Sequence, residues 1–152
     1  LKAKVEFAPV SHKDIDILFD KMRDGDYNEL VGHRYYKDPR RDFKTKIGNC
    51  EWAATGYING HLACMFGISP LSSVRGRHCV WVLTTNVIDQ YPVTFYKESV
   101  RVARWMRKNY YSLENWVDLR YTEAINWLDR LGATFYEVHT AWSGVEYQRV
   151  VL

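Results

Sequence analysis

Hydrophobic and polar positions follow two rhythms along this chain, and the rhythm changes where turn-forming residues fall. Lys4 to Pro9 alternates at the period of two that a half-buried strand shows. Ser11 to Asp14 reads as a capping box with Asp in the place of the usual Glu. Ile15, Leu18, Phe19 and Met22 then form one helical stripe, which Gly25 is placed to end. Asp26 to Tyr36 predicts a second, shorter helix capped by Asp26, with few apolar positions. From Lys37 to Gly48 the chain is polar and carries Pro39, the pattern of a solvated loop or helix edge, or else of a patch that docks an acidic partner or a phosphate tail.

Cys50 to Ile58 and His61 to Ile68 are apolar runs joined by Asn59-Gly60. Both turn residues tolerate positive φ, so the pair predicts a tight hairpin. His78 to Thr85 holds Val80, Trp81, Val82 and Leu83 in succession, which suits a central strand covered on both faces. Pro92 opens a long helix, because its missing N–H costs nothing in a first turn. Val93, Tyr96, Val100, Ala103, Met106 and Tyr110 line one face of it, and basic residues gather toward its C-terminal end.

A further strand, Trp116 to Leu119, leads to Thr122 as N-cap of a helix whose apolar face is Ala124, Ile125, Leu128 and Leu131. Gly132 closes it in the left-handed C′ position, and strands at Phe135 to Val138 and Glu146 to Leu152 finish the chain. The order β–α–α–β–β–β–α–β–α–β–β describes an α/β sandwich around a mixed sheet, a single domain over residues 1–152. The last strand is expected to leave an open sheet edge, a route to homo-oligomers.

Composition narrows the classes. A length of 152 residues with 47% hydrophobic and 26% charged residues fits one globular core. A net charge of +3 is too mild for a nucleic-acid face, although Arg40, Arg41, Lys44 and the basic helix would be where one lay. No apolar run reaches membrane-spanning length, and no signal peptide pattern is seen before Lys2. Cys50, Cys64 and Cys79 have no zinc-type spacing and read as free thiols of a reducing, cytosolic compartment. The five histidines are scattered, so no metal site is expected.

The segment from Leu113 to Glu137 resembles the C-terminal half of the GNAT (Gcn5-related N-acetyltransferase) superfamily. There a strand precedes the pattern Asn-x-x-Ala-Ile-x-Phe-Tyr-Glu-Lys-Leu-Gly-Phe. Ala124-Ile125 and Leu131-Gly132 match it, while the asparagine position holds Tyr121 and the tyrosine position, often a general acid, holds Leu128. The resemblance implies a mixed, mostly antiparallel central sheet with helices on both faces. It also implies an acetyl-coenzyme A cleft beside Leu83, Thr84 and Thr85. The family's glycine-rich diphosphate loop falls on Asn86 to Lys97, which has no glycine, and Asp89 adds a negative charge there. Thr94, Lys97 and Arg101 are the residues left to hold phosphate. If the site is active, Asp118 or Glu51 is the candidate base, and Tyr121, Tyr91 or Tyr96 the candidate acid.

A second set of motifs resembles GNAT-fold proteins of short-tailed bacteriophages, the internal virion protein A group. It comprises Met22-Arg23-Asp24 with Asp26 and Glu29, the Gly56–Gly67 hairpin, and Trp81 to Thr84. Ser99 to Arg101, Leu113 to Asp118 and Trp127 to Ala133 complete it. That resemblance implies a phage protein in the host cytoplasm or the virion, with a degenerate acyl-CoA site and no cofactor, whose partner is a phage or host protein. The alternative is an active acetyl-CoA-dependent N-acyltransferase with a non-standard site.

Overall fold

The structure is a computed structural model and describes residues 2–33, 37–71 and 76–152. Among the described residues seven strands form one sheet: β1 (Val5–Pro9), β2 (Trp52–Ile58), β3 (His61–Pro70), β4 (Arg77–Thr84), β5 (Ser112–Asp118), β6 (Thr134–Thr140) and β7 (Glu146–Val151). Their spatial order is β1-β2-β3-β4-β5-β7-β6, antiparallel at every contact except β4–β5. The helices are α1 (His12–Lys21), α2 (Asp24–His33), α3 (Pro39–Lys46), a short α4 (Val87–Gln90), α5 (Pro92–Asn109) and α6 (Thr122–Arg130). This is the mixed, mostly antiparallel sheet between helices that the sequence predicted.

Both faces of β4 are covered, as its continuous apolar run required. Val80 and Val82 pack under α5 with Phe66, Val102 and Met106. Trp81 and Leu83 pack on the other face with Ile15 and Leu18 of α1 and Phe43 of α3. The hairpin turns on Asn59 (φ 50°) and Gly60 (φ 78°), the left-handed pair that a type I′ turn needs. Gly132 (φ 85°) closes α6.

Several boundaries differ from the sequence reading. The polar stretch after Lys37 is a helix: Asp38 caps α3 by accepting from the Arg41 N–H, and Pro39 occupies its first turn. Its charges pair locally, Arg40 with Asp20 at 2.6 Å and Lys44 with Asp16 at 2.7 Å, while Phe43 turns inward against Trp81. Gly25 does not end α1 but lies inside α2, and Asp26 is a buried residue there rather than a cap. The Tyr36 end expected for that helix lies outside the described residues. Thr122 begins α6, whose N-cap is Tyr121. The expected open edge at Glu146 to Leu152 is also corrected. β7 returns to pair with β5, which pushes β6 outward, so the sheet ends at β1 and β6.

Candidate functional site at the β4–β5 separation

The two parallel strands stay together for three rungs only. Arg77 lies opposite Ser112, His78 opposite Leu113 and Cys79 opposite Glu114. Beyond that they separate, and the opening, lined by Val82, Asn115, Trp116, Tyr121, Leu128 and Tyr147, belongs to a set of voids of about 680 Å³ in all that extends along both faces of the sheet. Which backbone groups face the opening follows from the pairing on the far side. The Thr85 N–H donates to the Ala63 carbonyl and Leu71 N–H to the Arg77 carbonyl, so odd-numbered residues of β4 serve β3. Val80, Val82 and Thr84 therefore turn their peptide groups toward β5.

The α1–α2 segment already holds part of that edge. The Arg23 N–H donates to the Thr84 carbonyl at 3.0 Å, and Met22 makes an isolated bridge with Thr85. Asp26 Oδ2 accepts from the Thr84 N–H at 2.8 Å and from the Thr84 hydroxyl. One turn later on α2, Glu29 Oε2 accepts from the Asp118 N–H at 3.0 Å. Two carboxyls at i and i+3, on one face of a helix, thus cap the ends of both separated strands.

Glycines make that close approach possible. A Cβ on Gly25 would lie 2.5 Å from the Tyr121 ring, and one on Gly32 would lie 2.7 Å from the Tyr147 hydroxyl. Tyr147, 1% exposed, donates its hydroxyl to the Glu29 carbonyl at 3.2 Å. The face α2 presents to the sheet is therefore Gly25, Asp26, Glu29 and Gly32, small and acidic instead of aliphatic.

Burial sets the electrostatics. It raises the Glu29 carboxyl to about 8, with the nearby Asp26 and Asp118 charges acting in the same sense. Burial likewise raises Asp26, against the hydrogen bonds from Thr84 that favour its ionised form. Tyr121 is pushed up by burial and by the Asp26 carboxylate, so its hydroxyl stays protonated. Tyr147 is raised to about 12, again by burial first. Among the described residues no group of His, Cys, Asp and Glu is placed to hold a metal ion. No helix among them is long and apolar enough to cross a membrane.

The residues singled out from the sequence fare unequally. Asp118 ends β5 at the cleft, 2% exposed, but both its oxygens are committed to Arg120: Oδ1 accepts from the backbone N–H at 2.9 Å and Oδ2 from Nη2 at 2.7 Å. Tyr121 reaches the site and meets the Thr84 and Asp26 side chains. Leu83 faces the α1 core, and Thr84 is at the edge already described. The Thr85 hydroxyl donates to the Leu62 carbonyl at 2.6 Å and accepts from the Val87 N–H. On α5, Thr94 is half-buried, Lys97 exposed, and Arg101 paired with Glu98. Asp89 pairs with Arg23 at 3.4 Å. Glu51 pairs with His78 at 2.9 Å, at the closed end of the β4–β5 pair. The Tyr96 hydroxyl donates to the Arg130 carbonyl, and that of Tyr91 accepts from Asn59.

No family model and no curated protein sequence matches the chain. Solved structures do. The ribosomal-protein-alanine N-acetyltransferase from Brucella melitensis shares the fold with a TM-score of 0.72 at 9% identity, over 97% of this chain and 98% of that one. A protein from Salmonella typhimurium, named a putative acetyltransferase and solved with its cofactor acetyl-CoA, scores 0.65 at 11% identity, over 97% and 92%. A GNAT-family acetyltransferase from Streptococcus pneumoniae scores 0.62 at 9% identity, over 98% of each chain. At such identities the likeness concerns architecture, and the architecture of this chain is the GNAT fold.

Proposed function

We propose that this chain is an acyl-coenzyme A-dependent N-acyltransferase in which Glu29, not Asp118, is the base. One observation carries the reading: a carboxyl raised to about 8 stands at the open end of the separated strands with one oxygen uncommitted among the described residues. A base with such a pKa is matched to removing a proton from an amine near neutral pH. Tyr121, held protonated, is the hydroxyl available in place of the tyrosine that Leu128 replaces.

The cleft fits the thioester arm of such a cofactor: Val82 turns its N–H and C=O into the opening, and the apolar lining suits an aliphatic chain. A bound acyl-CoA would supply the activated acyl group. The diphosphate end fits less simply, because the segment before α5 offers no glycine and Asp89 is tied to Arg23. Thr94 and Lys97 are then the groups proposed to meet it. Calorimetric titration with acetyl-CoA tests the reading, followed by transfer of labelled acetyl to polyamines and lysine peptides. Micromolar binding with transfer supports it, and no binding at millimolar concentration ends it.

A second reading rests on the Thr84 rung, whose N–H and C=O are already taken by Asp26 and Arg23. A cleft edge closed in this way, together with Leu128, favours a binding module that has lost transfer, such as an assembly or host-interaction component of a phage. Cofactor binding without turnover on any amine, and recovery of the chain with purified virions, would favour it.

A further inference from the structure

The β4–β5 ladder stops at a definite side chain. After Cys79 and Glu114, the next parallel rung would join the Trp116 N–H to the Val80 carbonyl. Instead the carboxamide of Asn115 stands between them: Nδ2 donates to the Val80 carbonyl at 2.7 Å, and Oδ1 accepts from the Trp116 N–H at 2.7 Å. The partners fix the orientation of this amide, since only a donor can meet a carbonyl and only an acceptor can meet an N–H. One backbone hydrogen bond is exchanged for two, so the strands are held apart with the Val80 carbonyl and the Trp116 N–H both partnered. Asn115 also lines the cleft.

We infer that Asn115 is a positioning residue: its carboxamide is the wedge that ends the strand pairing, and so sets how deep a thioester arm can enter. The ligand part of this inference rests on the acyl-CoA reading; the wedge itself does not. Alanine at this position removes the spacer and leaves the Trp116 N–H and the Val80 carbonyl seeking partners, which they find in each other. The strands then zip one rung further and the cleft becomes shallower. Leucine keeps the bulk but offers no hydrogen bond, so the strands stay apart with both groups unpaired.

NMR through-hydrogen-bond couplings test the wedge without any ligand. In the wild type a coupling between Asn115 Nδ2 and the Val80 carbonyl carbon is expected, and none between Trp116 N and that carbon. In Asn115→Ala the second coupling appears and the Trp116 amide exchanges at least about tenfold more slowly, whereas in Asn115→Leu it does not appear. Finding the Trp116–Val80 coupling in the wild type, or a folded Asn115→Ala without it, overturns the inference. Binding then tests the depth. Acetyl-CoA affinity falls about tenfold or more in Asn115→Ala, while that for 3′-phosphoadenosine 5′-phosphate, which lacks the arm, is unchanged. Equal losses for both ligands overturn the depth role. Absence of acetyl-CoA binding to the wild type overturns the acyl-CoA reading and the depth role with it, and leaves the couplings to decide the wedge.

Discussion

Helices α1 and α2 are each ten residues long and follow one another, yet they meet the protein in opposite ways. α1 lays Ile15 and Leu18, both fully buried, on the apolar face of Met65 and Leu83. Its contribution is hydrophobic burial, at about 25 cal/mol per Å² of apolar surface removed from water. α2 buries an aspartate and two glycines' worth of bare backbone, and its contacts are hydrogen bonds to strand ends and tyrosine rings. One helix is attached by area, the other by geometry. The first kind of contact tolerates a shift of position, and the second does not, which is the arrangement a site needs.

Substitutions can test that contrast. The largest stability loss is expected on α1: Leu18→Ala removes a fully buried side chain and should cost about 2–5 kcal/mol in urea unfolding, through lost transfer energy and the cavity left behind. A loss under about 1 kcal/mol would mean that α1 is not the anchor described. On α2 the informative change adds an atom. Gly25→Ala would gain about 1 kcal/mol in an open helix, but its Cβ meets the Tyr121 ring at 2.5–2.8 Å. Overpacking of that kind costs about 1–3 kcal/mol, so the variant should be less stable than wild type. Gly48→Ala, where the added carbon meets nothing within 4 Å, is the control and should be neutral or slightly stabilising. If both alanines stabilise, Tyr121 is not held against α2.

The same contrast explains what could be read from the sequence. The strands, the Asn59-Gly60 turn, α1, α5 and the Gly132 stop are local: period, turn chemistry and caps declare them within a few residues. The GNAT-like order of elements followed from those. α3 was missed because its one inward residue, Phe43, gives no periodicity, and its charges resemble a solvated run until Asp16 and Asp20 of α1 are beside them. The α2 site was hidden for a sharper reason. Gly25 normally argues against a helix interior, and only the approach of Tyr121, about a hundred residues away in sequence, makes its missing Cβ an advantage. Asp26 looked like a cap because an aspartate near a helix start usually is one. Asp118 was singled out on the expected strand, and Tyr121 through the position that the family's asparagine takes. Nothing local could say that Arg120 would engage both oxygens of Asp118 or that Glu29, from α2, would accept from the Asp118 N–H. Asn115 lies just before the expected strand start at Trp116, inside the Leu113 to Asp118 motif, and nothing local gave it a role there.

The most direct probe of Glu29 is the pH dependence of stability. Its carboxyl titrates near 8 in the folded chain, against an ordinary value of 4.5, so between those limits the folded state holds a proton that the unfolded state has released. Stability is therefore fullest below about pH 4.5 and is lost as pH rises toward 8, by on the order of 1 kcal/mol per pH unit. Glutamine mimics the protonated acid, and keeps an oxygen for the Asp118 N–H. Glu29→Gln should flatten this slope, leaving only a weaker one of the same sign from Asp26, whose carboxyl is also raised. The variant should match wild type near pH 5 and exceed it in stability at pH 8, while losing about 10²–10⁴-fold in any transfer rate. Unfolding curves across that range separate the outcomes. Parallel pH profiles for the two proteins would mean that Glu29 is solvated and ordinary, and α2 would then be a second packing helix like α1.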